Sequence, residues 1–133
     1  MKLRSILLFI VGILVAQVVL IVFGFYNLFP SFDVPMHFLG GFSMALLGIY
    51  IHHAMTDKHH LKGHPDWYHI LFVLGFVMLI GVACEFHEYV LDNTAVLWWG
   101  WKSTQLSLSD TIGDLFMDAI GGVMGFIIAK KHL

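Results

Sequence analysis

Charge is what this 133-residue sequence has least of: 12% of its residues are Asp, Glu, Lys or Arg, against 59% that are hydrophobic. A typical soluble domain carries about twice that charged fraction, so a water-facing surface along the whole chain is excluded. Cysteine is the next shortage. Cys84 stands alone, which rules out an internal disulfide and any cysteine-based metal site. Walker-type loops and dinucleotide fingerprints are missing, and no basic stripe offers itself to nucleic acid. No serine or cysteine sits in a recognisable nucleophile arrangement. Ser43, Ser103, Thr104, Ser107 and Ser109 read as turn, cap and interface residues.

What the chain does have is four long apolar runs, at about 3–29, 36–55, 68–91 and 111–129. Each reaches the ~20 residues that a spanning helix needs. The expected fold class is therefore all-α: a polytopic membrane protein, one four-transmembrane-helix bundle forming a single domain over 1–133. Lys2 and Arg4 resemble the start of a signal peptide. The apolar stretch behind them is too long, however, and no small-residue cleavage site ends it, so a retained first helix is expected.

The few basic residues are unevenly placed. Lys2, Arg4, Lys58, Lys62, Lys130 and Lys131 fall on one side of an up-down bundle, and only Lys102 falls on the other. The positive-inside rule then places both termini in the cytoplasm. Trp67 and Tyr68 would mark the cytoplasmic interface, and Trp98, Trp99 and Trp101 the outer one. The stretch 95–108 reads as either a short interfacial helix or a re-entrant segment.

Against this background eight ionisable residues are conspicuous: Asp33, His37, Glu85, Glu88, Asp92, Asp110, Asp114 and Asp118. A charge at the bilayer centre costs roughly 2.5–3.5 kcal/mol on insertion scales. The topology collects these residues at one end. Asp33 and His37 begin the second helix, Glu85, Glu88 and Asp92 end the third, and Asp110, Asp114 and Asp118 begin the fourth. At 1.5 Å per residue, Asp118 lies roughly 12 Å below the start of its helix and Glu85 roughly 6–10 Å below the end of its own. Spacings of three and four put them on common faces. Asp33, His37, Gly40, Met44 and Gly48 share one face. Gly81, Glu85, Glu88 and Asp92 share a second, and Asp110, Asp114, Asp118, Gly121 and Gly125 a third. Small residues let membrane helices approach closely, so the acids are expected to point into the bundle.

Each residue also has a plainer reading. Asp33 precedes Pro35 and could cap its helix; Asp110, or Thr111 with Asp114, could form a helix start or capping box. A lone His37 reads as a hydrogen-bonded core histidine. Asp118, Glu85 and Glu88 have no such reading, and no lysine or arginine lies within the spans to neutralise them. Either several of these carboxyls are protonated, or a cation sits among them. Carboxylates with one histidine suit Zn, Mn or Fe, whereas an all-carboxylate subset would suit Mg or Ca. The candidate metal ligands are Asp33, His37, Glu85, Glu88, Asp110, Asp114 and Asp118. At the other end, His52, His53, His59, His60, His64 and His69 cluster on the cytoplasmic side; the run His59-His60-x-x-x-His64 reads as a polar, partly protonated loop, with adventitious metal binding as the alternative. His87 falls off the Glu85/Glu88 face. Met36, Met44, Met78 and Met117 read as core.

These residues resemble the VanZ-like family of small bacterial membrane proteins. Asp33-Val-Pro-Met-His37-Phe38 matches that family's Asp four residues before a His-Phe pair. Glu85-Phe-His-Glu88 resembles its Glu-x-x-Gln, with Glu for Gln. Asp114-Leu-Phe-Met-Asp118, followed by Gly121, Gly122 and Gly125, resembles its Asp-x-x-x-Asn and glycines, with Asp for Asn. Both departures add acid, and the arginine often found before the third element is missing, which favours a cation over an anionic ligand. The resemblance implies a bacterial inner-membrane, cell-envelope location and a link to envelope lipids or lipid-linked precursors.

Two functional expectations follow. The first is a metal-dependent membrane enzyme, its site toward the extracellular or periplasmic face, hydrolysing or modifying a lipid-linked substrate with Glu85 or Glu88 as general base. The second is a non-catalytic protein. It would bind or pass a cation or proton, which with four helices calls for a homo-oligomer, or it would act as an envelope resistance factor. Membrane lipids are the expected surroundings in every case.

Overall fold

The computed structural model describes residues 2–29, 32–55, 64–99 and 107–130. Lys58, Lys62, Lys102, Lys131, His59, His60, Trp101, Ser103 and Thr104 lie outside the described residues, as does the side chain of Trp99. The described elements are all helical: α1 (Leu3–Val22), α2 (Phe25–Leu28), α3 (Asp33–Met55), α4 (Asp66–Leu91), a π-helical turn (Asp92–Val96), α5 (Leu97–Trp99) and α6 (Leu108–Ala129). Four of them, α1, α3, α4 with its π turn, and α6, are long and apolar enough to cross a membrane.

The first helix is shorter than the apolar run that encodes it. It stops at Val22 because Gly24 takes a left-handed conformation, φ 69°. The amides of Phe23 and Gly24 then turn back onto the carbonyls of Val19 and Ile21, and a glycine after the last turn is the usual means of closing a helix this way. The other spans begin two or three residues earlier than their apolar runs. Pro35 falls in the first turn of α3, where an amide hydrogen is not needed. For α6, Ser107 is the N-cap and its hydroxyl accepts the amide of Asp110 at 3.2 Å. Asp110 and Asp114 therefore lie within the helix, and neither serves as its cap. Beyond α4 the chain continues as a π turn. There Asn93 and Thr94 donate side-chain hydrogen bonds to the carbonyls of Tyr89 and Val90, at 2.8 and 2.6 Å.

The pairing of α3 with α6 is the most extensive in the bundle, and α4 packs against both. Lipid removes the usual hydrophobic drive between helices, so close fit has to hold them together. Glycine supplies that fit. A Cβ on Gly41 would collide with the Asp118 carbonyl, and one on Gly121 with the Phe38 carbonyl. The two helices therefore run backbone against backbone at this level. Below the contact lies an apolar core of Ala45, Ile49, Val73, Val77, Phe126 and Ala129. The α1 helix is peripheral, held to α3 by contacts such as the edge-to-face pair Phe9–Phe42, 6.1 Å between centroids. Ile6 is its one buried side chain.

The end at which α4 begins is tied to the end at which α6 finishes by an ion pair, Lys130 Nζ to Asp66 Oδ2 at 2.7 Å. Both groups are exposed, so solvent screens the pair and it adds little stability; it does show that the two helices are antiparallel. Gly121→Ala is expected to lower the unfolding midpoint in detergent, by the roughly 1–3 kcal/mol of an overpacked contact. Gly75→Ala, where a Cβ meets nothing within 4 Å, should leave the midpoint unchanged or raise it. Equal midpoints in the two variants would contradict the backbone contact.

Candidate metal centre

The glycine contact sets the position of Asp118. Its carboxylate lies where α3, α4 and α6 converge, over Gly40 of α3 and in the notch left by Gly81 of α4. Only 5% of the residue is exposed. From this position Asp118 Oδ2 meets His37 Nδ1 at 3.4 Å. The other ring nitrogen of His37 faces outward along the bundle, 3.7 Å from Asp33 Oδ1 and 4.0 Å from Asp114 Oδ1. Asp33 stands one turn before His37 on α3, and Asp114 one turn before Asp118 on α6, so both pairs use the i, i+4 relation.

This arrangement sorts the residues by role. In the neutral tautomer that donates Nδ1–H to Asp118, Nε2 would carry the lone pair, between two carboxylates. A carboxylate–histidine pair behind a free ring nitrogen is how metal-ligating histidines are oriented. One donor atom each from Asp33, His37 and Asp114 lie within 4.8 Å of one another. Ligand atoms around a single ion at 2.0–2.2 Å sit roughly 3–3.5 Å apart, so modest side-chain rotation closes the set.

The remaining acids surround this core. Glu85 on α4 is buried, and Glu88 one turn later is half-buried. Glu88 lies within electrostatic reach of Asp33, Glu85, His37 and Asp114, and Asp110 within reach of Asp33 and Asp114. All seven candidate ligands from the sequence are thus brought to one end of the bundle, on three helices. Asp92 opens the π turn beyond Glu88 and is half-buried, whereas His87 and Cys84 are exposed. On α3 the face in tight contact is that of His37, Gly41, Ala45, Gly48 and His52, one position round from the Gly40–Met44 face expected from spacing. Met44 packs against the apolar core as expected.

A family model described as a predicted membrane protein (DUF2238) matches residues 2–133. The chain belongs to the DUF2238 family. No curated protein and no solved structure matches it. The family match covers all four spans of this DUF2238 protein and says nothing finer about the acidic end.

His52 and His69 fall inside the second and third apolar runs, but their burial against each other is not foreseen from the sequence. In this DUF2238 protein they are helical and buried, 3% and 5% exposed, with His52 Nε2 at 3.1 Å from His69 Nδ1. The signal lay in the periodicity. His69, Val73, Val77, Gly81 and Glu85 repeat every four residues along the buried face of α4, and His52 ends the face that His37 begins on α3.

A protonated His37 would bring one positive charge to a cluster of six carboxyls, Asp33, Glu85, Glu88, Asp110, Asp114 and Asp118. In a chelator, removing one charge from such a cluster should relieve repulsion. Glu88→Gln is therefore expected to raise the unfolding midpoint measured in EDTA, and a lowered midpoint would show that Glu88 is held by favourable contacts instead.

Proposed function

We propose that this DUF2238 protein binds a divalent cation of the Mn, Fe or Zn class at the acidic end of its bundle. Asp33, His37 Nε2 and Asp114 are the ligands and Asp118 is the orienting carboxylate. The observation that carries this reading is the His37 ring itself, with one nitrogen on Asp118 and the other aimed between two carboxylate oxygens. The donor set of two carboxylates and one imidazole belongs to borderline cations more than to Mg or Ca. Such a cation also supplies positive charge to a cluster in which His37 is the one imidazole among six carboxyls of the described residues.

The proposal extends to a membrane-embedded, metal-dependent enzyme acting on a lipid-linked envelope substrate. The site lies at the mouth of the bundle: Asp33 and Asp110 are only half-buried, while Asp114, Asp118 and Glu85 lie deeper. A headgroup can therefore approach from the interface while its chains stay in lipid. A bound divalent ion polarises a phosphoryl or carbonyl oxygen and lowers the pKa of water. Glu88, half-buried and within reach of the ligand set, is the carboxylate placed to take a proton from that water. Glu85, one turn deeper, supports the cluster from below. The link to lipid-linked substrates rests on the VanZ-like motifs, and the placement of the site on the outer face rests on the distribution of lysine and arginine. The apolar core beneath Asp118 favours a site with a floor over a path for ions through the bundle.

Purified protein without a histidine tag is expected to bind about one equivalent of Mn2+. Saturation at a hundredfold excess over Kd should add about 2.7 kcal/mol of stability, read as a raised unfolding midpoint that EDTA reverses. His37→Ala and Asp114→Asn should abolish both effects. Asp118→Asn, which keeps an acceptor for the ring, should weaken binding by about 10–100-fold without abolishing it. A midpoint that responds neither to Mn2+ nor to EDTA, with no metal recovered, would sink the proposal.

A further inference from the structure

The opposite end of the bundle carries a second cluster that the acidic site does not use. His37 and His52 are 15 residues apart on α3, so about 22 Å of helix separates the two ends. His52 on α3 and His69 on α4 are both buried and face each other across the helix pair, their nearest ring nitrogens 3.1 Å apart. His64, in the segment just before α4, stacks on Tyr68 with centroids 4.4 Å apart, and its ring centroid lies 6.4 Å from that of His69. Phe72 covers the ring of His52 at 4.4 Å. Three imidazoles from two helices and one preceding segment therefore converge beside an aromatic wall. The exposed Asp66–Lys130 ion pair lies nearby, its Asp66 within electrostatic reach of His69.

We propose that His52, His69 and His64 form a second metal site, distinct from the acidic one, for a borderline transition cation such as Zn2+. Two imidazole nitrogens bound to one tetrahedral Zn2+ at 2.0–2.1 Å stand about 3.3 Å apart, and the ring centroids about 5 Å apart. The His52–His69 pair, at 3.1 Å and 5.3 Å, already has that spacing. The exposed His64 stands further off, its ring centroid 6.4 Å from that of His69, and has to swing in to complete the set. Coordination requires both facing nitrogens as lone pairs. The proton now shared between them moves to the far nitrogen of the ring that donates it, so the two rings stay neutral and no proton need be lost. An all-imidazole set without carboxylate selects Zn2+, Co2+, Ni2+ or Cu2+, and it is a poor match for Mn2+ or Mg2+. The two ends would thus differ in the metal they prefer. Filled, this site clips α3 to α4 where the ligand side chains of the acidic end give no support.

The test uses tag-free protein carrying Asp33→Asn and Asp114→Asn, which removes the acidic site, so that failure here and failure of the proposed function are separate results. Co2+ titration of this protein is expected to give about one equivalent bound, with the visible absorption of a four-coordinate ion. Adding His52→Ala or His69→Ala should weaken binding by at least about tenfold, and His64→Ala by a smaller factor. Binding that is unchanged in His52→Ala would assign the metal to other histidines and overturn the proposal. Electron spin echo measurements on the Cu2+-loaded parent need no further variant to fold. Couplings from two or three imidazoles support the site; one or none refutes it.

Discussion

At the level of Gly41 and Gly121, α3 and α6 touch through their backbones, with no side chain between them. The rest of the acidic end depends on that approach. It brings the carboxylate of Asp118 under the ring of His37 and, one turn further out, sets Asp114 opposite Asp33. The notch at Gly81 lets α4 close over the same carboxylate, which carries Glu85 and Glu88 into the cluster. A methyl group at Gly41 or Gly121 would push the helices apart, and one at Gly81 would displace the Asp118 carboxylate, so that the donors would separate. Packing and chemistry are the same interaction in this protein.

Carboxylates in a low-dielectric bundle are costly unless they are neutralised, and His37 is the imidazole that stands among them. The proposed cation would resolve the conflict between charge and solvent and draw together helices whose acids otherwise repel. The two ends of the bundle handle polarity differently. The acidic end collects hard oxygen donors around one imidazole, whereas the other end pairs two imidazoles behind aromatic rings. Between them, Ala45, Ile49, Val73, Val77 and Phe126 form an apolar floor.

Much of this was legible in the sequence. Four apolar runs gave four spanning helices, and the i, i+4 spacing of Asp33–His37 and Asp114–Asp118 put each pair on one face. Helix direction then placed all the acids at one end. Boundaries were less legible. The apolar run from Leu3 continues past Val22, and only the backbone conformation of Gly24 ends the helix there. Asp118 was read as one ligand among seven; its proposed orienting role depends on which ring nitrogen of His37 it meets, and that is a contact between α3 and α6 that no spacing encodes. His52 and His69 fall in the expected spans, but their burial against each other goes unread because histidine-rich, lysine-containing sequence lies between them. Counting by fours along α4 from Gly81 back to His69 would have shown a buried face that ends in histidine.

The central claim is that His37 presents Nε2 to a metal ion while Asp118 holds Nδ1. Electron–nuclear double resonance on the Mn2+-loaded protein, with histidine labelled by 15N, tests it most directly. The account predicts coupling from one directly bound imidazole nitrogen, lost in His37→Gln. A spectrum showing only water and carboxylate oxygen around the ion, unchanged in that variant, would contradict it.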